Sequence, residues 1–155
     1  MENLWKTCTP GPDVRRNATN IDISLFELKN VPDKNKVFCE IKLDGNIFAR
    51  SSSKEVTDAG TCFWGETFSF KELPKLGKIS IFVVTRRRKW RKPVGSVDIP
   101  VTELTSGNVE KWFPLVVTGK VKETPSIRVK LHYRSIILIL TLLGFVLIFN
   151  CEPAL

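Results

Sequence analysis

The 155-residue chain has only four cysteines and one histidine, His132. Cys8, Cys39, Cys62 and Cys151 lie far apart and form no CxxC pair, so no Cys/His metal cluster is available. They read as free thiols of a reducing compartment. The first twenty residues lack the apolar core of a secretory signal. The sequon Asn17-Ala18-Thr19 is therefore not expected to meet a glycosyltransferase. No glycine-rich phosphate cradle occurs. Ser51, Ser52 and Ser53 have only His132 as a potential base, on a different expected strand, so no nucleophilic triad can be assembled. Glu66 stands alone as an acid and has no second carboxylate for acid–base work. These absences leave no catalytic machinery and no cofactor to name.

What is present is a strand pattern. Residues 7–20 are polar and broken by Pro10, Gly11 and Pro12, and read as a linker. Apolar residues then recur with period two at Ile21, Ile23 and Leu25, and at Val37, Cys39, Ile41 and Leu43. Asp44-Gly45-Asn46 follows at once as a tight-hairpin signal, and residues 47–50 form the return strand. Further strands are expected over 63–70, 79–85, 95–100, 112–116 and 127–133, with no helical period of useful length unless a short helix forms near 101–104. The aromatic residues Phe63, Trp64, Phe68 and Phe70 are expected to fill the interior. Together these runs predict an all-β, eight-stranded antiparallel sandwich over residues 21–133.

Two features stand out from that pattern. The net charge is +8, and its densest run is Arg86, Arg87, Arg88, Lys89, Trp90, Arg91 and Lys92, between two expected strands. Clustered cations beside an anionic leaflet gain about 1 kcal/mol each, and an indole suits the membrane interface. These seven residues are the candidate lipid-binding site. A solvated charge run with Trp90 folded back on the domain is the bland alternative. A nucleic-acid patch is disfavoured because no aromatic stacking platform accompanies the run. The second feature is the uncharged apolar stretch 136–149. As a helix it would rise roughly 21 Å against a hydrocarbon core near 30 Å, and it exceeds the usual strand length of about 10 residues. Membrane contact is the expected role of this tail, 134–155, with Arg134 snorkelling to a headgroup.

Several segments together resemble one family. Cys39-Glu40, Asp44-Gly45, the stretch 49–54, Phe63-Trp64-Gly65-Glu66, Leu73-Pro74, Glu110-Lys111-Trp112 and Ile127-Arg128-Val129-Lys130 occur in the order found in the C2 domain of SynGAP-like Ras GTPase-activating proteins. The resemblance implies a C2-type sandwich over 21–133. It also implies that residues 1–20 are the end of a pleckstrin-homology-like region and a linker, from Glu2-Asn3-Leu4 and Arg15-Arg16. The helical GTPase-activating domain of the family, with its arginine finger, has no counterpart here, so a shortened product without that activity is expected. Many C2 domains bind calcium through several aspartates, and calcium takes about six to eight oxygens. Here one loop offers Asp33 alone and the other is the basic run, which implies calcium independence and no metal. The expected partners are anionic membrane lipids or a Ras-like small GTPase, at a cytoplasmic membrane surface, with protein docking as the alternative to lipid binding.

Overall fold

The computed structural model describes residues 15–104, 107–140 and 146–151, and two antiparallel sheets stack face to face in it. The strands are β1 (Arg15–Lys29), β2 (Lys36–Leu43), β3 (Asn46–Arg50), β4 (Cys62–Leu73), β5 (Lys78–Arg86), β6 (Arg91–Pro100), β7 (Asn108–Pro114), β8 (Ser126–Leu140) and β9 (Val146–Cys151). One sheet has the order β4-β1-β8-β7, with β9 also pairing β8, and the other β3-β2-β5-β6. The eight-stranded sandwich is as expected, and β9 is added to it. A single 3₁₀ turn at Val101–Glu103 occupies the place of the short helix.

Period-two patterning explains the core. Ile21, Ile23 and Leu25 of β1, Ile41 of β2, Ile79, Ile81 and Val83 of β5, and Ile127 and Val129 of β8 are essentially inaccessible and meet between the sheets. The next buried residue of β1 after Leu25 is Leu28, an odd spacing. A bulge absorbs it. In the pairing with β8, Leu25 faces Val129 and Glu27 faces Arg128, so Phe26 is the extra residue on β1. The β2–β3 turn is made by Asp44 (φ 47°) and Gly45 (φ 86°), the left-handed pair that matches strand twist. The Asp44 carboxylate also accepts the N–H groups of Gly77 (3.1 Å) and Lys78 (2.8 Å), which fastens the β4–β5 connection to that turn.

Three expectations are corrected. Phe63 is not core: alternation with buried Trp64 turns it outward, and it is 62% exposed. Phe68 and Phe70 are only partly buried against the core. The first strand begins at Arg15 rather than Ile21, because β8 is long enough to pair it from Lys29 back to Arg15. The apolar tail is not a helix where it is described. Residues 136–140 continue β8, Ser135 to Leu140 pair with β9, and Ile136 is buried. Residues 141–145 and 152–155 lie outside the described part, as do 1–14. Among the described residues no helix is long and apolar enough to cross a membrane.

Candidate lipid-binding hairpin

Antiparallel order places the connections 30–35, 51–61, 87–90 and 115–125 at one end of the sandwich. There β5 and β6 form a hairpin in which Arg86 faces Arg91 and Thr85 faces Lys92. The Arg87 N–H donates to the Trp90 carbonyl (3.0 Å), which closes a four-residue turn. Below it Thr85 is fully buried, so the hairpin base is anchored in the interior. All seven candidate residues, Arg86 through Lys92, are exposed. Trp90 is 75% exposed and does not fold back on the domain.

The six cations of this hairpin are not equivalent. Arg87 reaches Asp33 on the β1–β2 loop, with Nη2 3.1 Å from Oδ2. Asn35 donates to the same carboxylate through its other oxygen. Arg91 lies 3.8 Å from Glu40 and stacks 5.7 Å over the Phe38 ring. Glu40 is 8% exposed and is also held by Arg50 at 3.3 Å. A carboxylate that far out of water needs cationic neighbours, and the two arginines supply them. Arg86, Arg88, Lys89 and Lys92 have no ion-pair partner among the described residues. Two cations, Arg87 and Arg91, are thus pinned; of the other four, Arg88 and Lys89 lie in the turn and Arg86 and Lys92 on the strands below it. The pinning by Asp33 and Glu40 was not legible in the sequence, because these carboxylates reach the hairpin only through tertiary structure.

The other residues weighed for chemistry serve the fold. Ser51 Oγ accepts the Cys39 N–H (2.8 Å) and donates to the Ser52 carbonyl (3.1 Å). Ser52 in turn gives its N–H (3.2 Å) and hydroxyl to Glu66, and its carbonyl takes the Trp64 indole N–H (3.0 Å). Glu66, expected to stand alone, is therefore a tie between the β3–β4 connection and β4. His132 is elsewhere, paired with Asn108 and facing Asp22 across β1. The serines and the histidine are not brought together. Cys39 and Cys62 are buried free thiols. Burial pushes Cys62 up to about 11 and Cys39 well above its ordinary value, so neither is a ready nucleophile. No group of three or more metal-ligating side chains occurs among the described residues.

No family model matches the chain. It is 39% identical over 146 residues to the human Ras GTPase-activating protein nGAP, covering 88% of this chain and 13% of that protein. The Ras GTPase-activating protein gap-2 of Caenorhabditis elegans is 33% identical, again over 88% of this chain and 13% of the relative. Mouse Disabled homolog 2-interacting protein is 34% identical over 88% of this chain and 12% of its own length. The chain thus spans about an eighth of the curated relatives it matches. Among solved structures it is similar to the paired C2 domains of Extended-Synaptotagmin 2 (TM-score 0.66, 15% identity, 83% of this chain and 45% of that one). A structure described as that of a C2 domain matches with TM-score 0.59 and 11% identity, over 74% of this chain and 97% of that one. At such identities these likenesses speak for the fold alone. Sandwich topology and sequence relationship agree: the chain folds as a C2 domain and is related, over 88% of its length, to a segment of Ras GTPase-activating proteins.

Proposed function

We propose that this domain binds anionic membrane lipid without calcium, and so brings a Ras GTPase-activating protein-like chain to the surface where small GTPases act. The observation that carries the reading is the β5–β6 hairpin, which is anchored at its base and carries four cations without an ion pair among the described residues and an exposed indole. At about 1 kcal/mol for each Lys or Arg near an anionic leaflet, four cations supply about 4 kcal/mol, close to a thousandfold in affinity. Calcium independence is supported by Asp33, whose carboxylate already holds the Arg87 guanidinium where a cation would sit. The domain supplies recruitment and has no GTP-hydrolysing role of its own in this reading.

The test is co-sedimentation of the full chain with protein-free vesicles of phosphatidylcholine with and without anionic lipid. Binding should require the anionic lipid and weaken steeply as salt rises. Replacing Arg86, Arg88 and Lys89 with glutamate should reduce it by at least about a hundredfold. Unchanged binding by that variant would overturn the reading. Absence of binding to every vesicle, with capture of a purified Ras-like GTPase, would move it to the protein-docking alternative.

A further inference from the structure

Among the described residues, every strand at the rim of the two sheets but β9 carries residues that keep an open edge from pairing with another chain. Glu66, Lys71 and Glu72 lie on β4, and Glu110, Lys111 and Pro114 on β7. Arg50 lies on β3, and Lys92, Pro93 and Asp98 on β6. The start of β1, which runs on past β4, brings Arg15 and Arg16. β9 is the exception. Its residues Val146-Leu147-Ile148-Phe149-Asn150-Cys151 include no charge and no proline, and its one strand neighbour among the described residues is β8.

The surroundings of that edge narrow what can cover it. At the far end the sheet is three strands wide: β1 from Arg15 to Ala18, β8 from Ile136 to Ile139, and β9. β7 stops at Asn108, opposite His132, and β4 stops at Leu73, opposite Thr19, so neither reaches this extension. The five residues from Ile136 to Leu140 are all aliphatic, and alternate residues of a strand belong to opposite faces, so both faces of the stretch are apolar. That is the pattern of a strand covered on both sides.

A bilayer is a poor match. Arg15 and Arg16 share rows with Ile139 and Leu138, one on each face, and insertion would take both cations into hydrocarbon. It would also take in the open edge of β9, and open sheet edges do not occur in lipid. A second copy of the chain fits better. It offers an uncharged edge whose own backbone groups need partners, and pairing through β9 leaves β1 with its two arginines on the outer rim.

We infer that β9 is a self-association edge, along which two copies pair β9 against β9, antiparallel about a twofold axis. The two far ends then join into one six-stranded sheet in the order β1-β8-β9-β9-β8-β1. This contact lies at the opposite end of the sandwich from the β5–β6 hairpin and is independent of lipid binding.

The test is the mass of the full chain in solution, by light scattering behind size exclusion, across a wide range of concentration. It should rise with concentration to twice the 17.6 kDa of one chain and stop there. Hydrogen exchange on the unaltered chain should show β9 amides gaining protection as the dimer forms, with those of β2 and β5 unchanged. Ile148→Lys gives β9 the charge that the other rim strands carry, and should weaken the dimer by at least about tenfold. Phe48→Lys adds the same charge at an exposed position on the rim of the other sheet and should leave the dimer intact. The inference is overturned by a single-chain mass at every concentration, by a mass that climbs past two copies, or by a dimer that Ile148→Lys does not weaken. Exchange along β9 that is insensitive to concentration would overturn it without recourse to any variant. So would a monomer that partitions into neutral phosphatidylcholine vesicles through this stretch, which would make the bilayer its occupant.

Discussion

The two ends of this sandwich solve opposite problems with the same antiparallel pairing. At one end β5 and β6 stop at a four-residue turn, and six cations and a tryptophan remain in water. At the other, β1 and β8 run on past the body of the domain, and β9 pairs the far half of β8. Between the two ends β8 alone extends over 15 residues, roughly 50 Å at strand rise. The basic run and the apolar run therefore do not form one membrane-facing surface. The backbone of the apolar run at the far end is paired as strand from Ser135 to Leu140, whereas four cations at the near end have no ion pair among the described residues. Apolar sequence alone does not identify a membrane contact when a sheet edge is available to receive it.

That comparison breaks first at Ile136, which is only 1% exposed at the start of the far end. If the extension is an integral part of the fold, Ile136→Ala creates a cavity and should cost about 2–5 kcal/mol in chemical denaturation. A cost near zero would show that the far end contributes nothing to the domain. It would also leave the apolar run without a structural reason.

How much of this was legible in the sequence depended on whether the determining contact was local. The β2–β3 hairpin was readable because Val37, Cys39, Ile41 and Leu43 alternate and Asp44-Gly45 supplies its own turn geometry. The basic hairpin was readable as a location, since the strands on either side carry their own periodicity. Residues 15–20 were not readable as strand, because polar Arg15, Arg16 and Asn17 acquire their conformation from pairing with Ile139, Leu138 and Ile137, more than a hundred positions away. The apolar run was legible as unusual but not as sheet, since its β8 portion extends a strand beyond the common length. Phe63 was misplaced because neighbouring aromatics were counted together, when a strand sends adjacent residues to opposite faces. The inequality among the hairpin cations was invisible for the same reason as β1: Asp33 and Glu40 reach them only through tertiary structure.

The interior joining the two ends offers a second, smaller test. Unfolding exposes Cys39 and Cys62, which then lose their protons above the ordinary value of 9.0, while the folded chain holds the Cys62 proton to about 11. These thiols leave stability unchanged below 9.0 and reduce it as pH climbs from 9.0 towards about 11. For Cys62 the loss is about 1–2 kcal/mol, allowing for partial solvation. Cys39 adds a loss of the same sign. Denaturation midpoints measured across that window should fall less steeply for a Cys39→Ala, Cys62→Ala variant than for the unaltered chain. Equal slopes would mean that water reaches both thiols and that the sandwich is not sealed between its ends.

The smallest expected effect lies within the near end and concerns the two kinds of cation there. Arg88 is unpaired among the described residues, so Arg88→Ala should weaken vesicle binding by about fivefold, the equivalent of about 1 kcal/mol. Arg87 already shares its charge with Asp33 at 3.1 Å. Arg87→Ala removes that cation but also releases the Asp33 carboxylate, and the measured change combines the two losses with whatever the freed loop gains. The informative readout is calcium. One carboxylate with the Asn35 amide beside it falls far short of about six to eight oxygens, so calcium should alter vesicle binding neither in the unaltered chain nor after Arg87→Ala. A calcium-dependent rise in the Arg87→Ala variant, abolished by adding Asp33→Asn, would show that the arginine stands in for a metal ion. In that case the near end would be a calcium site held shut by its own hairpin rather than a surface built for lipid charge alone.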